Sequence, residues 1–380
     1  MTIDERLATT EFPLPAIREV NMAKHATGIS LGLGELKTFP VDNKIIEAMN
    51  ASLLNGGTSY TQNAGLPELR RVVAAQQEKQ DGYSYTEENV VVTVGVQNAV
   101  YTTVKTLSLL GAKRVLVPQV NFGIYKKIPA EFGLEVCTYP LTTDFGVDIN
   151  GLSAMLKPDD IIIINSPGNP TGRVFSAEEQ QQLADLLREK LTEGYVISDE
   201  IYGRLVYEGA PFRSFSNYFE RTIVVDGISK SGAVAGLRVG WVIARTARLA
   251  KAITSNNATI ISTPPTANQF AAIPVVEGET QSTIDNYNII LKRNRDLVTR
   301  VLDRLYIPYV LPTGSFYIFP DLKDFVGENT KEFCLSLAKK ENGVVVIPGV
   351  AFGAPNHIRI SLASAEIEEG MRRFEKAMCS

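Results

Sequence analysis

Lys230 stands between Ser229 and Ser231, just after the β-branched run Thr222–Val225 and Gly227. Gly232 and Gly236 follow, and Arg238 lies eight residues on. A cation set among small residues where a strand gives way to a loop is positioned, either for covalent chemistry or to hold an anion. Other short apolar runs end on equally reactive residue types. Val90–Val94 leads into Gly95, Val96 and Gln97 at the start of a helical pattern, and Arg114–Val117 leads to the aromatic pair Phe122 and Tyr125. Ile161–Ile164 is followed by NSPGNPTG, which contains Asn169, and Tyr195–Ser198 by Asp199 and Tyr202.

These groups share one economical chemical reading. A helix N-terminus with free N–H groups, joined by an arginine, holds a phosphate. A buried aspartate keeps a heterocyclic nitrogen protonated, while Asn169 and Tyr202 bond a ring hydroxyl and Phe122 stacks on the ring. Lys230 forms a Schiff base with an aldehyde. A ligand with a phosphate, a pyridine nitrogen, a phenolic oxygen and an aldehyde is pyridoxal 5′-phosphate. Each residue alone has a plainer account. Asp199 could cap a turn, Asn169 before Pro170 could be a turn residue, and Lys230 could be a solvated loop lysine. Taken together, five strand ends would have to present the needed groups by chance.

The elements that carry these residues read as an α/β sheet. Runs of four to six apolar residues without alternation are strands buried on both faces, as in a parallel sheet. Between them lie helical stretches such as Val96 to Leu110, where Ala99, Val100, Thr103, Val104 and Leu107 share a face. Strand, helix, strand in repetition means a layered α/β domain. After about Ser282 the texture changes to a long charged helix and short strands, which suggests a smaller α+β domain. Three parts are expected: an N-terminal segment, 1–44, packed on the small domain and the active-site mouth; a large domain, 45–281; and a small one, 282–380.

Composition bounds the rest. The 380 residues carry a net charge of −4, and no basic block points to nucleic acid. The N-terminus reads as neither a secretory signal nor a membrane span. Three widely spaced cysteines and two histidines fit a reducing cytoplasm and give no metal cage. The stretch LGLGELK has no third glycine and no clean preceding strand, which disfavours a nicotinamide-dependent dehydrogenase.

The chain closely resembles the class I/II aminotransferases among the fold-type I pyridoxal-phosphate enzymes, from about Gly28 to Ala363. The resemblance rests on GTSYTQNAGLPELR, NSPGNPTG, SDEIYGRLVYEG, SKSGAVAGLRVGW and HIRISLA. It implies a large domain with a mostly parallel seven-stranded sheet flanked by helices, plus the smaller α+β domain. It implies Lys230 as the Schiff-base lysine, Asp199 on the pyridine nitrogen, and Asn169 and Tyr202 on the ring oxygen. Arg238, Ser229 and the Val96–Gln97 amides fall on the phosphate and Phe122 on the ring face. Arg359 would grip the substrate α-carboxylate, helped by Gly34 and Asn169. Tyr60 would reach the phosphate of a neighbouring subunit, so a homodimer with shared active sites is implied.

Three features depart from the family pattern. Gly227 stands where a hydroxyl for the phosphate is usual, and Ser229 or Ser231 could compensate. The segment Gly34-Glu35-Leu36-Lys37 replaces Gly-Glu-Pro and is similar to that of capreomycidine synthase and the enduracididine-forming enzymes. His25 precedes it, after an N-terminus with Thr10 and Glu11, which in that reading would fold over the mouth and hold a guanidinium. The expected function is therefore a cyclase that converts γ-hydroxy-L-arginine to a cyclic guanidino amino acid such as L-enduracididine. The alternative is ordinary amino-group exchange between an amino acid and a 2-oxo acid. Both share every cofactor residue.

Overall fold

The computed structural model describes residues 2–4, 7, 15–209, 211–327 and 329–379. Its centre is a seven-stranded sheet in the order β2-β8-β7-β6-β5-β3-β4. The strands are β2 (Val90–Thr93), β3 (Arg114–Pro118), β4 (Glu135–Tyr139), β5 (Ile161–Asn165), β6 (Tyr195–Asp199), β7 (Thr222–Gly227) and β8 (Gly240–Ala244). All pairs within β7-β6-β5-β3-β4 are parallel, and β8 runs antiparallel to both of its neighbours. Helices cover the sheet, so the apolar side chains of both faces leave water. Every residue of β2, β3 and β8 is buried. Only β4, at one edge, carries exposed residues.

The first and last parts of the chain meet. The short strand β1 (Ile29–Ser30) pairs in parallel with β10 (Val344–Val345). A three-stranded antiparallel sheet, β11-β12-β9, is built from β9 (Tyr317–Ile318), β11 (Ile347–Pro348) and β12 (Ile358–Ser361). The 24-residue helix Gln281–Arg304 packs against the C-terminal helix Ile367–Met378. Arg359 lies in β12, and the Leu31 carbonyl accepts a hydrogen bond from Ser361 N–H. That pairing carries Gly32, Leu33 and Gly34 across to the open ends of the large sheet. Among the described residues, no helix is long and apolar enough to cross a membrane.

Candidate active site

The carboxyl ends of β2, β3, β5, β6 and β7 open on a cavity of about 410 Å³. That volume is in the range of small-molecule sites, and strand carboxyl ends are where open α/β sheets bind ligands. Lys230, in the turn after β7, reaches into it, and its Nζ donates a 2.6 Å hydrogen bond to the Gly34 carbonyl. Burial, with the Arg359 guanidinium as the next contributor, lowers the Lys230 pKa to about 8. A partly neutral amine near physiological pH is the state that attacks a carbonyl or takes up a proton.

Asp199 closes the floor at the end of β6 and is 4% exposed. Desolvation raises its pKa to about 6, against the pull of a hydrogen bond from the Tyr125 hydroxyl to Oδ2 (2.6 Å) and one from Ile201 N–H to Oδ1 (3.2 Å). Asn165, which ends β5, ties the two strand ends together through Nδ2, a donor to the Asp199 carbonyl (2.9 Å). Among the described residues no cation forms an ion pair with Asp199, and such a buried carboxylate attracts a proton on a ring nitrogen.

One corner suits a phosphate. The 15-residue helix Gly95–Leu109 begins without a side-chain cap, so its first-turn N–H groups are left for a ligand. Gly95 has φ 75°, and a Cβ there would lie 2.4 Å from Arg238 Nη2, so the helix start and the guanidinium are in close contact only because residue 95 has no side chain. Val96, Gln97, Ser229 and Arg238 all line the cavity. A Cβ on Gly227 would lie 2.6 Å from the Val239 carbonyl oxygen, which accounts for the missing hydroxyl at that position.

The opposite corner suits a carboxylate. Arg359 is 2% exposed, and among the described residues no acid pairs with it. Its Nη1 donates to Asn169 Oδ1 (3.0 Å) and its Nη2 to the Gly32 carbonyl (3.1 Å), while Nε is buried without a partner. The guanidinium lies 4.3 Å from the Tyr317 ring centroid and 4.9 Å from that of Phe352. A cation buried among rings and neutral acceptors awaits an anion. Tyr202 stands between the corners, its hydroxyl 3.4 Å from that of Tyr317, and Phe122 lines the same cavity.

The cavity therefore collects Gly34, Val96, Gln97, Phe122, Asn169, Asp199, Tyr202, Ser229, Lys230, Arg238 and Arg359, which are dispersed through the chain. Two expected residues are elsewhere. His25, counted among the substrate-binding residues in the cyclase reading, has its Nδ1 3.0 Å from Thr27 Oγ1, its backbone N–H donates to the Ala338 carbonyl, and it does not line the cavity. Tyr60 is 89% exposed and lies outside its own chain's cavity. Glu11 and Thr10 fall outside the described residues. Sequence reasoning assigned no role to Tyr125, Asn165 or Tyr317. Tyr125 was visible only as an aromatic near Phe122, and Tyr317, in the apolar stretch SFYIF, reads as core. Among the described residues, no group of three His, Cys, Asp or Glu side chains could hold a metal.

The model of the family described as aminotransferase class I and II matches residues 26–374. Aromatic-amino-acid aminotransferase 2 of Thermococcus litoralis is 33% identical, with 100% of this chain and 98% of that protein covered. Aspartate aminotransferase of Pyrococcus abyssi is 34% identical over 92% of this chain and 91% of that one. Among solved structures, Thermus thermophilus aspartate aminotransferase with maleate superposes with a TM-score of 0.88 at 27% identity, covering 99% of this chain and 100% of that one. The aromatic aminotransferase of Pyrococcus horikoshii OT3 gives 0.86 at 31% identity, covering 96% and 98%.

Proposed function

Because this chain belongs to the class I and II aminotransferase family, a pyridoxal-phosphate-dependent family, we propose that it exchanges the α-amino group of an amino acid with a 2-oxo acid in the cavity around Lys230. The observation that carries this reading is the convergence of Lys230, Asp199 and the acid-free Arg359 on one cavity. The residues fit the cofactor: an uncapped helix start crowded by Arg238 for the phosphate, a buried carboxylate for the ring nitrogen, and an amine of lowered pKa for the aldehyde.

When bound, pyridoxal 5′-phosphate takes up the amino group and delocalises the electron pair left at the α-carbon. The chain's own residues do the rest. Arg359 fixes the substrate's α-carboxylate through a two-pronged, charge-assisted contact, which sets the Cα–H bond toward Lys230. Lys230, whose pKa of about 8 leaves part of the amine neutral near physiological pH, would accept that proton and later give it up again. Asp199 holds the proton on the ring nitrogen, and Tyr125 and Ile201 keep its oxygens oriented. Asn169 gives its Oδ1 to Arg359, and its Nδ2 has no partner among the described residues, so it is left to donate to the ring oxygen beside Tyr202.

Ring closure of γ-hydroxyarginine, the other expectation, draws no support from these relatives, whose names state amino-group transfer for aspartate and aromatic amino acids. His25, which that reading counted among the substrate-binding residues, has its Nδ1 3.0 Å from Thr27 Oγ1 and does not line the cavity. The test is incubation of the cofactor-loaded protein with amino acids, γ-hydroxyarginine among them, and a 2-oxo acid, followed by mass analysis. A 2-oxo acid product matched by transfer of nitrogen is the expected result. Loss of water with nitrogen retained would replace this reading with the cyclase.

A further inference from the structure

The N-cap residue of the helix Gly95–Leu109 is Val94, whose side chain holds no acceptor. A serine, threonine or aspartate there would accept from an N–H of the first turn and occupy a donor that a phosphate needs. The helix start is held from inside the helix instead. Asn98 Oδ1 accepts the Val94 N–H at 2.9 Å, much as one half of a capping box reaches back to the N-cap amide. On the other side of the residue, Arg238 Nη2 donates to the Val94 carbonyl at 3.4 Å. Of the donors that a helix start leaves without an intrahelical partner, Asn98 takes that of Val94. Those of Gly95, Val96 and Gln97 remain for a ligand.

A second asparagine fixes the first. The Val94 N–H can only donate, so Asn98 turns Oδ1 toward it and Nδ2 away. That Nδ2 donates to Asn257 Oδ1 at 3.1 Å, in the helix Ala247–Ile261, which packs against Gly95–Leu109. Asn257 is 1% exposed, and its own Nδ2 is buried without a partner among the described residues. Leaving a buried donor unpaired is unfavourable, yet turning the Asn257 amide over would set two donors face to face. The pair thus holds Asn98 in the one orientation that serves Val94. Neither asparagine lines the cavity.

We propose that Asn98 and Asn257 are positioning residues for the cofactor's phosphate, fixing the helix start so that the Gly95, Val96 and Gln97 N–H groups converge on it. The inference rests on the placement of the phosphate at this corner. Its test needs no turnover. Equilibrium binding to the cofactor-free protein, followed by visible absorbance, compares pyridoxal 5′-phosphate with pyridoxal, which lacks the phosphate. Asn98→Ala should weaken pyridoxal 5′-phosphate about tenfold and pyridoxal no more than about twofold. Asn257→Ala leaves Asn98 in place but free to rotate, and should move the same ratio by about threefold.

Asn256→Ala is the structural control. It removes a hydrogen bond between the same two helices, from Nδ2 to Thr106 Oγ1 (3.1 Å), away from the helix start. It should lower the thermal midpoint and leave the ratio of the two affinities unchanged. Equal losses for both ligands in Asn98→Ala, or a ratio moved as far by Asn256→Ala, overturn the proposal. If Asn98→Ala does not fold, an unmoved ratio in Asn257→Ala overturns it alone. The phosphate placement fails separately: wild-type protein then binds pyridoxal as tightly as pyridoxal 5′-phosphate, and the role of the two asparagines falls with it.

Discussion

The Tyr125 hydroxyl donates a 2.6 Å hydrogen bond to Asp199 Oδ2 at the floor of the cavity. Burial alone favours the protonated acid, and this bond, with the Ile201 amide, works against it, leaving the Asp199 pKa at about 6. At neutral pH the group is thus a carboxylate, ready to hold a proton on a ring nitrogen.

Tyr125→Phe should raise the Asp199 pKa, because the lost bond stabilised only the charged form. A hydrogen bond to a charged group contributes about 1.5–3 kcal/mol. Cofactor affinity in the wild type should fall as pH drops through about 6, where Asp199 becomes protonated. In the variant the fall should begin at higher pH. Equilibrium dialysis of the cofactor across pH reads this, and an unmoved acid limb would make Tyr125 a packing residue.

Lys230 should titrate unusually low. Its pKa of about 8 means that burial and Arg359 disfavour the ammonium form. In the cofactor-free protein, modification of Lys230 by an amine-specific reagent should rise with pH to a midpoint near 8, well below that of exposed lysines. Peptide mapping gives the rate at each pH. Arg359→Ala removes the neighbouring cation and should move the midpoint upward; a midpoint that stays or falls contradicts the assigned electrostatics.

Arg359→Lys keeps the charge and loses the planar fork. The Michaelis constant for amino acids should rise, since losing one side of a buried charged contact costs roughly 2–5 kcal/mol and a lysine recovers only part. The cofactor should still be retained, as its visible absorbance shows, because Arg359 contacts Asn169 and Gly32 rather than the phosphate corner. Steady-state kinetics beside an absorbance spectrum separates the two, and an unchanged Michaelis constant would put the carboxylate elsewhere.

Gly227→Ser would restore the hydroxyl usual in the family, yet it should weaken the fold rather than tighten the phosphate site. The new Cβ would lie 2.6 Å from the Val239 carbonyl oxygen and 2.9 Å from Gly240 Cα, both backbone atoms. Overpacking of this kind costs about 1–3 kcal/mol. Thermal unfolding should show a lower midpoint; one at or above that of the wild type would mean that β8 yields freely.

Tyr60, 89% exposed, has no role within its own chain's cavity. If a second copy receives it, the protein in solution has twice the 41.6 kDa chain mass, and Tyr60→Ala retains cofactor less well. Sedimentation and dialysis check the two together, and a monomer that retains cofactor fully would dismiss the shared site.

Much of the large sheet is legible in the chain because a strand covered on both faces must be mainly apolar, and β2, β3, β5, β6, β7 and β8 are built on such runs, with their polar residues toward the ends. The edge strand β4, with the sequence EVCTY, escapes because its exposed side tolerates Glu135 and Thr138. Residues directly after each strand are legible for the same reason: local order alone puts Asp199, Asn169 and Lys230 on one rim. What local order cannot supply is a contact between distant segments. Gly32 and Arg359 are 327 positions apart, and Lys230 and Gly34 are 196 apart. Nothing in the types Gly, Leu, Gly at 32–34 announces that two carbonyls will bind the site's cations and leave Leu33 facing the cavity. The β1–β10 pairing and the packing around β12 decided that, because a backbone carbonyl carries no sequence signature and acquires a role only when folding brings a donor to it.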